Sequence, residues 1–336
     1  VGGVNLPRMI APTPTKISRA AAVRALAVAL ALVVGGCRTP PAPTAEQLAL
    51  DGVARAERKD FAGAAADFRR ALALRPDDAD TRYNLGLALL EGGDLAGAEA
   101  ELRRALALRP GDAEAWHGLG QAAFNRRDYA AAIAAFDRAL ALDAGLVDTV
   151  YARALARRRS GDFDGAFADY DRAVALAPDY WRAYNGRATT RNAHGDFALA
   201  IPDYERRIAL EPTGSEYAWF QRSLLLRRLG RDPELAALSA EVARWPDDWP
   251  KVVGQFLLGH LGADELLRRA AAPADAQARR EQLCEANYYV GITALLAGRT
   301  DEAREKFSAC VATGVEVFLE HLLARSELAR LGAANR

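Results

Sequence analysis

The chain has 336 residues, 51% of them apolar and 26% charged, a balance that excludes a disordered polymer and indicates a folded protein. Lys+Arg and Asp+Glu each number 44, and the first 36 residues hold Arg8, Lys16, Arg19 and Arg24 without a single acid. Beyond them stand 40 basic and 44 acidic residues, so no concentrated basic face argues for nucleic acid as the main partner.

In chain order, the first element is an address. Residues 25–34 (ALAVALALVV) form an apolar run of ten, preceded by Arg19 and Arg24 and followed by Gly35-Gly36-Cys37. A positive flank, a short apolar core and small residues before the cut describe a signal peptide over 1–36. The run is too short for a membrane-spanning helix. Val34-Gly35-Gly36-Cys37 resembles the lipobox of bacterial lipoproteins, which implies acylation of Cys37; an ordinary secretory signal with a chance cysteine is the alternative. Translation could start at Val1 or at Met9. By the same resemblance, Arg38 in place of aspartate implies the outer membrane. Residues 37–44 read as a proline-rich tether, and its extended stretch reaches only about 20 Å.

A 34-residue clock comes next. Pro76, Pro110, Pro178, Pro212 and Pro246 recur on it, with Ala144 in the one missing slot. Small residues mark the contact between the two helices of each unit at Gly86, Gly120, Ala154 and Ala188, and open the second helix at Ala64, Ala98, Ala132, Ala166 and Ala200. Phe68, Leu102, Phe136, Tyr170 and Tyr204 fill the core of the second helix. Turns read Gly93-Asp94, Gly161-Asp162 and Gly195-Asp196, a helix stop followed by a helix start. These positions resemble the tetratricopeptide repeat (TPR), and the reading is an all-α fold, a right-handed TPR solenoid of helix-turn-helix hairpins. Six units occupy 45–248, the last degenerate. Arg153 and Arg187 should pair with Asp169 and Asp203 across their hairpins.

In a stacked array of hairpins the first helix of each unit lines one side, and its fifth position should face a partner: Ala49, Tyr83, His117, Tyr151, Asn185 and Trp219. Asn84 lies beside Tyr83. The ninth and twelfth positions add Gln121, Thr189, Phe124, Arg158 and Asn192 to the candidate protein-binding set. Aromatics interleaved with amides suit an extended peptide; the alternative is that the aromatics pack on neighbouring helices. Glu46, Asp80, Glu114, Asp148 and Glu216 recur at position two, either as an acidic rim or as ordinary first-turn acids opposing the helix dipole.

Between 249 and 283 the clock breaks into a helical insertion without hairpin match, a seventh TPR-like unit occupies 284–317, and a capping helix closes the chain at 318–336. Cys284 and Cys310 fall near one end of that last hairpin, where a disulfide and a buried pair of thiols are both open. Trp245-Pro246, Trp249-Pro250, the run Gln255-Phe256-Leu257-Leu258-Gly259, Asn287-Tyr288-Tyr289-Val290-Gly291 and Phe318-Leu319-Glu320-His321, with Cys37, resemble the NlpI-type TPR lipoproteins of the outer membrane. That resemblance implies a homodimeric, lipid-anchored periplasmic scaffold that brings cell-wall (peptidoglycan) hydrolases together with a tail-specific protease. The runner-up is a pilotin-type lipoprotein that assists assembly of a pilus or secretion complex.

No catalytic residue, metal site or cofactor is expected. His117, His194, His260 and His321 are isolated in sequence, no glycine-rich phosphate loop occurs, and Glu320-His321 reads as a pair on a helix surface.

Overall fold

The computed structural model describes residues 42–231 and 234–333; Cys37 and the segment 1–36, read above as a signal peptide, lie outside the described residues. It is an all-α solenoid of helical hairpins, with seventeen helices and no strand among those residues. The chain divides into two compact units, with the division falling between Thr149 and Val150.

In the N-terminal unit, α1 (Ala45–Glu57) pairs with α2 (Phe61–Leu74), α3 (Ala79–Glu91) with α4 (Leu95–Leu108), and α5 (Ala113–Asn125) with α6 (Tyr129–Leu142). Each second helix begins at an aspartate that caps it: Asp60, Asp94 and Asp128 accept from the backbone N–H of Gly63, Gly97 and Ala131. The turns before them need one residue at positive φ. Gly93 supplies it between α3 and α4 at φ 84°, whereas Lys59 and Arg127 adopt it in the other two hairpins at 62° and 63°.

The small residues of the clock explain why the hairpins close. Ala64, Ala98 and Ala132 are completely buried. A Cβ on Gly120 would stand 2.4 Å from the Phe136 ring, and one on Gly86 would stand 2.7 Å from Leu102. Phe68, Leu102 and Phe136 therefore press directly on the backbone of the preceding helix. Burying each such side chain contributes roughly 1.5–3 kcal/mol.

In the C-terminal unit, which takes up most of α7 (Val147–Ser160), the hairpins continue with α8 (Phe163–Leu176), α9 (Trp181–His194), α10 (Phe197–Leu210) and α11 (Glu216–Arg228). Asp169 and Asp203 are almost wholly buried and paired as their spacing requires. Arg153 reaches Asp169 through two bonds, at 2.9 and 2.5 Å, and Arg187 reaches Asp203 at the same two distances. Arg157 and Arg191, one turn further along, complete each cluster at 2.9 and 2.7 Å.

The clock then stops. Three short helices come next, α12 (Leu235–Arg244), α13 (Trp249–Leu257) and α14 (Ala263–Ala270), and then the long α15 (Ala276–Leu296). Helix α15 starts ahead of Cys284 because Asp275 caps it by accepting from Ala278 N–H. It pairs with α16 (Thr300–Ala312), where Gly291 lies against Phe307, and the final helix α17 (Leu319–Ala333) returns to pack on α9, α15 and α16. Phe220, Trp245, Trp249, Tyr289, Phe307 and Phe318 share one apolar core with these elements. Among the described residues, no helix is long and apolar enough to cross a membrane.

Candidate functional site

The first helices of the two units present different faces. On α3, Asp80, Tyr83, Asn84, Leu87 and Glu91 follow a helical stripe that stays at least partly exposed. On α5, Glu114 and Phe124 are accessible, and Phe124 stacks edge-on against Tyr129 at 5.5 Å. His117 and Gln121 are buried. His117 shares a 2.9 Å hydrogen bond with the Thr149 hydroxyl and packs on Phe136. Burial holds its imidazole neutral, with the pKa down to about 4 against a small opposing pull from Asp148.

This unit is also acidic, since residues 42–149 carry 18 acidic and 13 basic side chains while residues 150–336 carry 26 of each. Part of that charge concentrates around α5. Burial and the neighbouring carboxylates of Asp112, Asp148 and Asp143 raise the pKa of Glu114. Burial, then Glu114 and Asp112, raises that of the Tyr83 phenol. Asp80 is answered by Arg109 at 2.8 Å.

In the C-terminal unit half of the candidate positions are covered, while Arg158, Asn185 and Trp219 stay partly exposed. Tyr151 is buried against Tyr170 and Tyr180. Thr189 and Asn192 are buried, whereas Asn185 and Trp219 remain half-buried, Trp219 packing on the C-terminal core. Asn192 Nδ2 donates to Gln221 Oε1 at 3.1 Å, and Tyr288 donates to the same oxygen at 3.3 Å. The chain's own C-terminal helix closes the end of α9. Arg330 donates to the main-chain carbonyls of Asn192 and Ala193 at 2.9 and 2.6 Å, which caps the end of α9. Buried Glu327 clamps Arg228 and Arg330 together, and both guanidinium groups lie over the Phe197 ring.

In the same unit two buried carboxyl groups meet neutral donors. Glu285 accepts from Tyr217 at 2.7 Å and from the Trp249 indole at 2.8 Å; Glu320 accepts from Tyr289 at 3.0 Å. Burial pushes Glu320 up to about 7, and burial with the Glu320 charge pushes Glu285 well above the carboxylate range. The expectation of a Glu320-His321 pair on a helix surface is therefore corrected: both are buried, because α17 packs on three helices at once. Cys284 and Cys310 are buried thiols in contact, Sγ to Sγ 3.3 Å. The hydrogen bond with Cys284 and burial raise the Cys310 pKa, so that thiol stays protonated.

Sequence reasoning missed the Glu327–Arg228–Arg330 clamp. Its partners are separated by up to 99 positions and follow no period. A signal did exist: an acid and an arginine three residues apart on a terminal helix lie on one face.

A profile of the tetratricopeptide repeat matches residues 52–113, 83–146 and 151–218. Among solved structures, a MamA crystal structure is 26% identical over 49% of this chain and 97% of its own, with a TM-score of 0.45. A MamA from Desulfovibrio magneticus RS-1 is 18% identical over 50% of this chain and 96% of its own, with a TM-score of 0.47. YrrB, described as a TPR protein with an unusual peptide-binding site, is 20% identical over 56% of this chain and 97% of its own, with a TM-score of 0.46. Matched to that profile and seen as hairpins, residues 52–146 and 151–218 carry tetratricopeptide repeats.

Proposed function

We propose that the protein is an adaptor that holds other proteins, and that the partner lies along the stripe Asp80, Tyr83, Asn84, Leu87 on α3 and beside Phe124 on α5. The observation that supports this reading most is the partial exposure of Tyr83, Asn84 and Leu87 on one stripe of α3, where Thr189, the counterpart of Leu87 on α9, is buried. A partly exposed aromatic beside an amide offers an apolar pocket and a backbone partner together. The fuller form of the proposal is a lipoprotein anchored through Cys37 in the outer membrane. It faces the periplasm as a homodimer and gathers cell-wall hydrolases and a tail-specific protease. The lipobox-like junction and the Trp-Pro and Asn-Tyr-Tyr motifs of the sequence support that form.

Capture from detergent extracts on the full-length protein tests it. Recovery of a hydrolase or protease, lost in the Tyr83→Ala, Phe124→Ala double variant, is expected. A preparation that recovers neither class contradicts the fuller form, and an unchanged captured set in the double variant contradicts the assigned face. Cys37→Ser should move the protein from the membrane fraction to the soluble one; retention in the membrane fraction contradicts the anchor.

A further inference from the structure

On α3 the stripe Asp80, Tyr83, Asn84, Leu87 and Glu91 begins and ends in an exposed carboxylate. Helix α1 repeats the arrangement, with exposed Glu46 and Glu57 at its ends and half-buried Leu50 and Val53 between them. On α5, exposed Glu114 holds the register of Glu46 and Asp80, and half-buried Phe124 lies near the other end. Helix α1 packs on α3 and α3 on α5, all within the N-terminal unit, so these side chains form one face, an apolar band between acids. Arg109 shows how close the first turns lie, since it reaches Asp80 of α3 at 2.8 Å and Asp112, the cap of α5, at 3.6 Å.

An acid in the first turn opposes the helix dipole and needs no partner to explain it. Glu57 and Glu91 are the opposite case: each is the last residue of its helix, where the dipole disfavours a carboxylate. No ion pair joins Glu46, Glu57, Glu91 or Glu114 to a base among the described residues. Burial raises the pKa of Glu91 with no neighbouring base to offset it. Several arginines of the unit serve its other side. Arg55 reaches Asp67 at 2.8 Å and Arg82 reaches Glu101 at 2.9 Å, each on the second helix of its own hairpin, and Arg126 binds Glu99 of α4. Arg69, Arg70, Arg103 and Arg104 stand exposed on the second helices, and Arg58, Lys59 and Arg127 lie in the turns beyond α1 and α5.

Unanswered carboxylates around half-exposed apolar side chains are complementary to one kind of partner. Its bases pair with Asp80, Glu91 and Glu114, and its apolar residues cover Tyr83, Leu87 and Phe124. We propose that the occupant of this face is a cationic peptide segment, in which Lys or Arg residues flank apolar ones. The proposal rests on the reading that this face holds a protein. Asp80 to Glu91 spans ~16 Å along the helix, a distance that about five residues of extended chain cover. The acids select against acidic segments more than they add strength, because exposed pairs are individually weak and like charges repel.

Fluorescence anisotropy on the full-length protein tests the proposal, with labelled peptides of equal length that alternate leucine pairs with pairs of lysine, glutamine or glutamate. The lysine peptide should bind saturably, about tenfold or more tighter than the glutamine peptide, and added sodium chloride should weaken it. The glutamate peptide should not bind. The Glu91→Gln, Glu114→Gln double variant should weaken the lysine peptide about tenfold and leave the glutamine peptide unchanged. Glu91→Gln alone should not lower the melting temperature, since the acid stands at the unfavourable end of α3, so its weaker binding is not loss of fold. Equal binding of the lysine and glutamine peptides, binding of neither, or lysine-peptide binding unchanged in the double variant overturns the cationic partner. Equal binding that is lost in Tyr83→Ala, Phe124→Ala overturns the charge selection and leaves the adaptor face standing. Lysine-peptide binding unchanged in that aromatic variant overturns the face itself.

Discussion

Helices α3 and α9 hold equivalent places in the two units and differ at the ninth position, where Leu87 stays partly exposed and Thr189 is buried. In the N-terminal unit, α3 keeps a partly exposed stripe from Asp80 to Glu91. In the C-terminal unit, α9 is closed by α17, through an arginine that caps its carbonyls and a buried glutamate that clamps that arginine. A TPR hairpin therefore does not by itself define a free face. Later elements of the chain decide whether that face stays free.

The largest expected difference lies in ion pairs. Glu327→Ala leaves Arg228 and Arg330 without their shared counter-charge in a largely covered place and should cost about 3 kcal/mol or more in denaturant unfolding. Asp80→Ala removes a pair whose side chains are 49% and 72% exposed and should cost about 0–1 kcal/mol. Equal losses would break the comparison. In the N-terminal unit the sensitive element is packing. Gly120→Ala should cost roughly 1–3 kcal/mol because the added methyl meets the Phe136 ring, whereas Gly111→Ala meets nothing within 4 Å and should be close to neutral.

A subtler contrast lies in pH. His117 has a folded pKa near 4, below its ordinary 6.5, so the unfolded chain takes up the proton first. The stability it contributes is complete above about 6.5 and is lost as pH falls towards 4. Glu320 is shifted the other way, from 4.5 to about 7. Its contribution is complete below about 4.5 and is lost as pH rises through 7, at up to about 1.4 kcal/mol per pH unit. Buried His321, whose pKa is lowered, opposes Glu320 within the same unit, so the wild type must be compared with Glu320→Gln. That variant should flatten the fall in melting temperature between pH 5 and 8, and His117→Gln should flatten the acid-side loss. An unchanged profile in either variant contradicts the assigned group.

The smallest effect concerns the thiols. Cys284 and Cys310 should resist alkylation in the native protein and react fully after unfolding. Rapid native labelling would show that α15 and α16 open more readily than their packing implies.

The repeats were legible because burial imposes a period. Ala64, Ala98, Ala132, Ala166 and Ala200 must be small wherever a hairpin closes, so geometry writes itself into every thirty-fourth position. Arg153 with Asp169 and Arg187 with Asp203 were legible for the same reason: their absence from the preceding unit makes them covary within the chain. The face expected at the fifth, ninth and twelfth positions was legible as a register but not as a surface. His117, Tyr151, Thr189 and Asn192 hold those positions and are buried. The Asn192 side chain is bonded to Gln221 on α11, and α17 meets the end of α9 through contacts such as Arg330 to the Asn192 carbonyl, separated by 138 positions. No local pattern announces such a return, and Glu320-His321 reads as surface until the helix beneath it is seen.

Hydrogen exchange resolved by helix, on wild type and Glu327→Ala, tests the central claim most directly. The account predicts that exchange rises together in Trp181–His194, Ala276–Leu296 and Leu319–Ala333 of the variant while Ala79–Glu91 is unchanged. Unchanged protection of Trp181–His194, or a uniform rise that includes Ala79–Glu91, would contradict the closure of one face and the independence of the other.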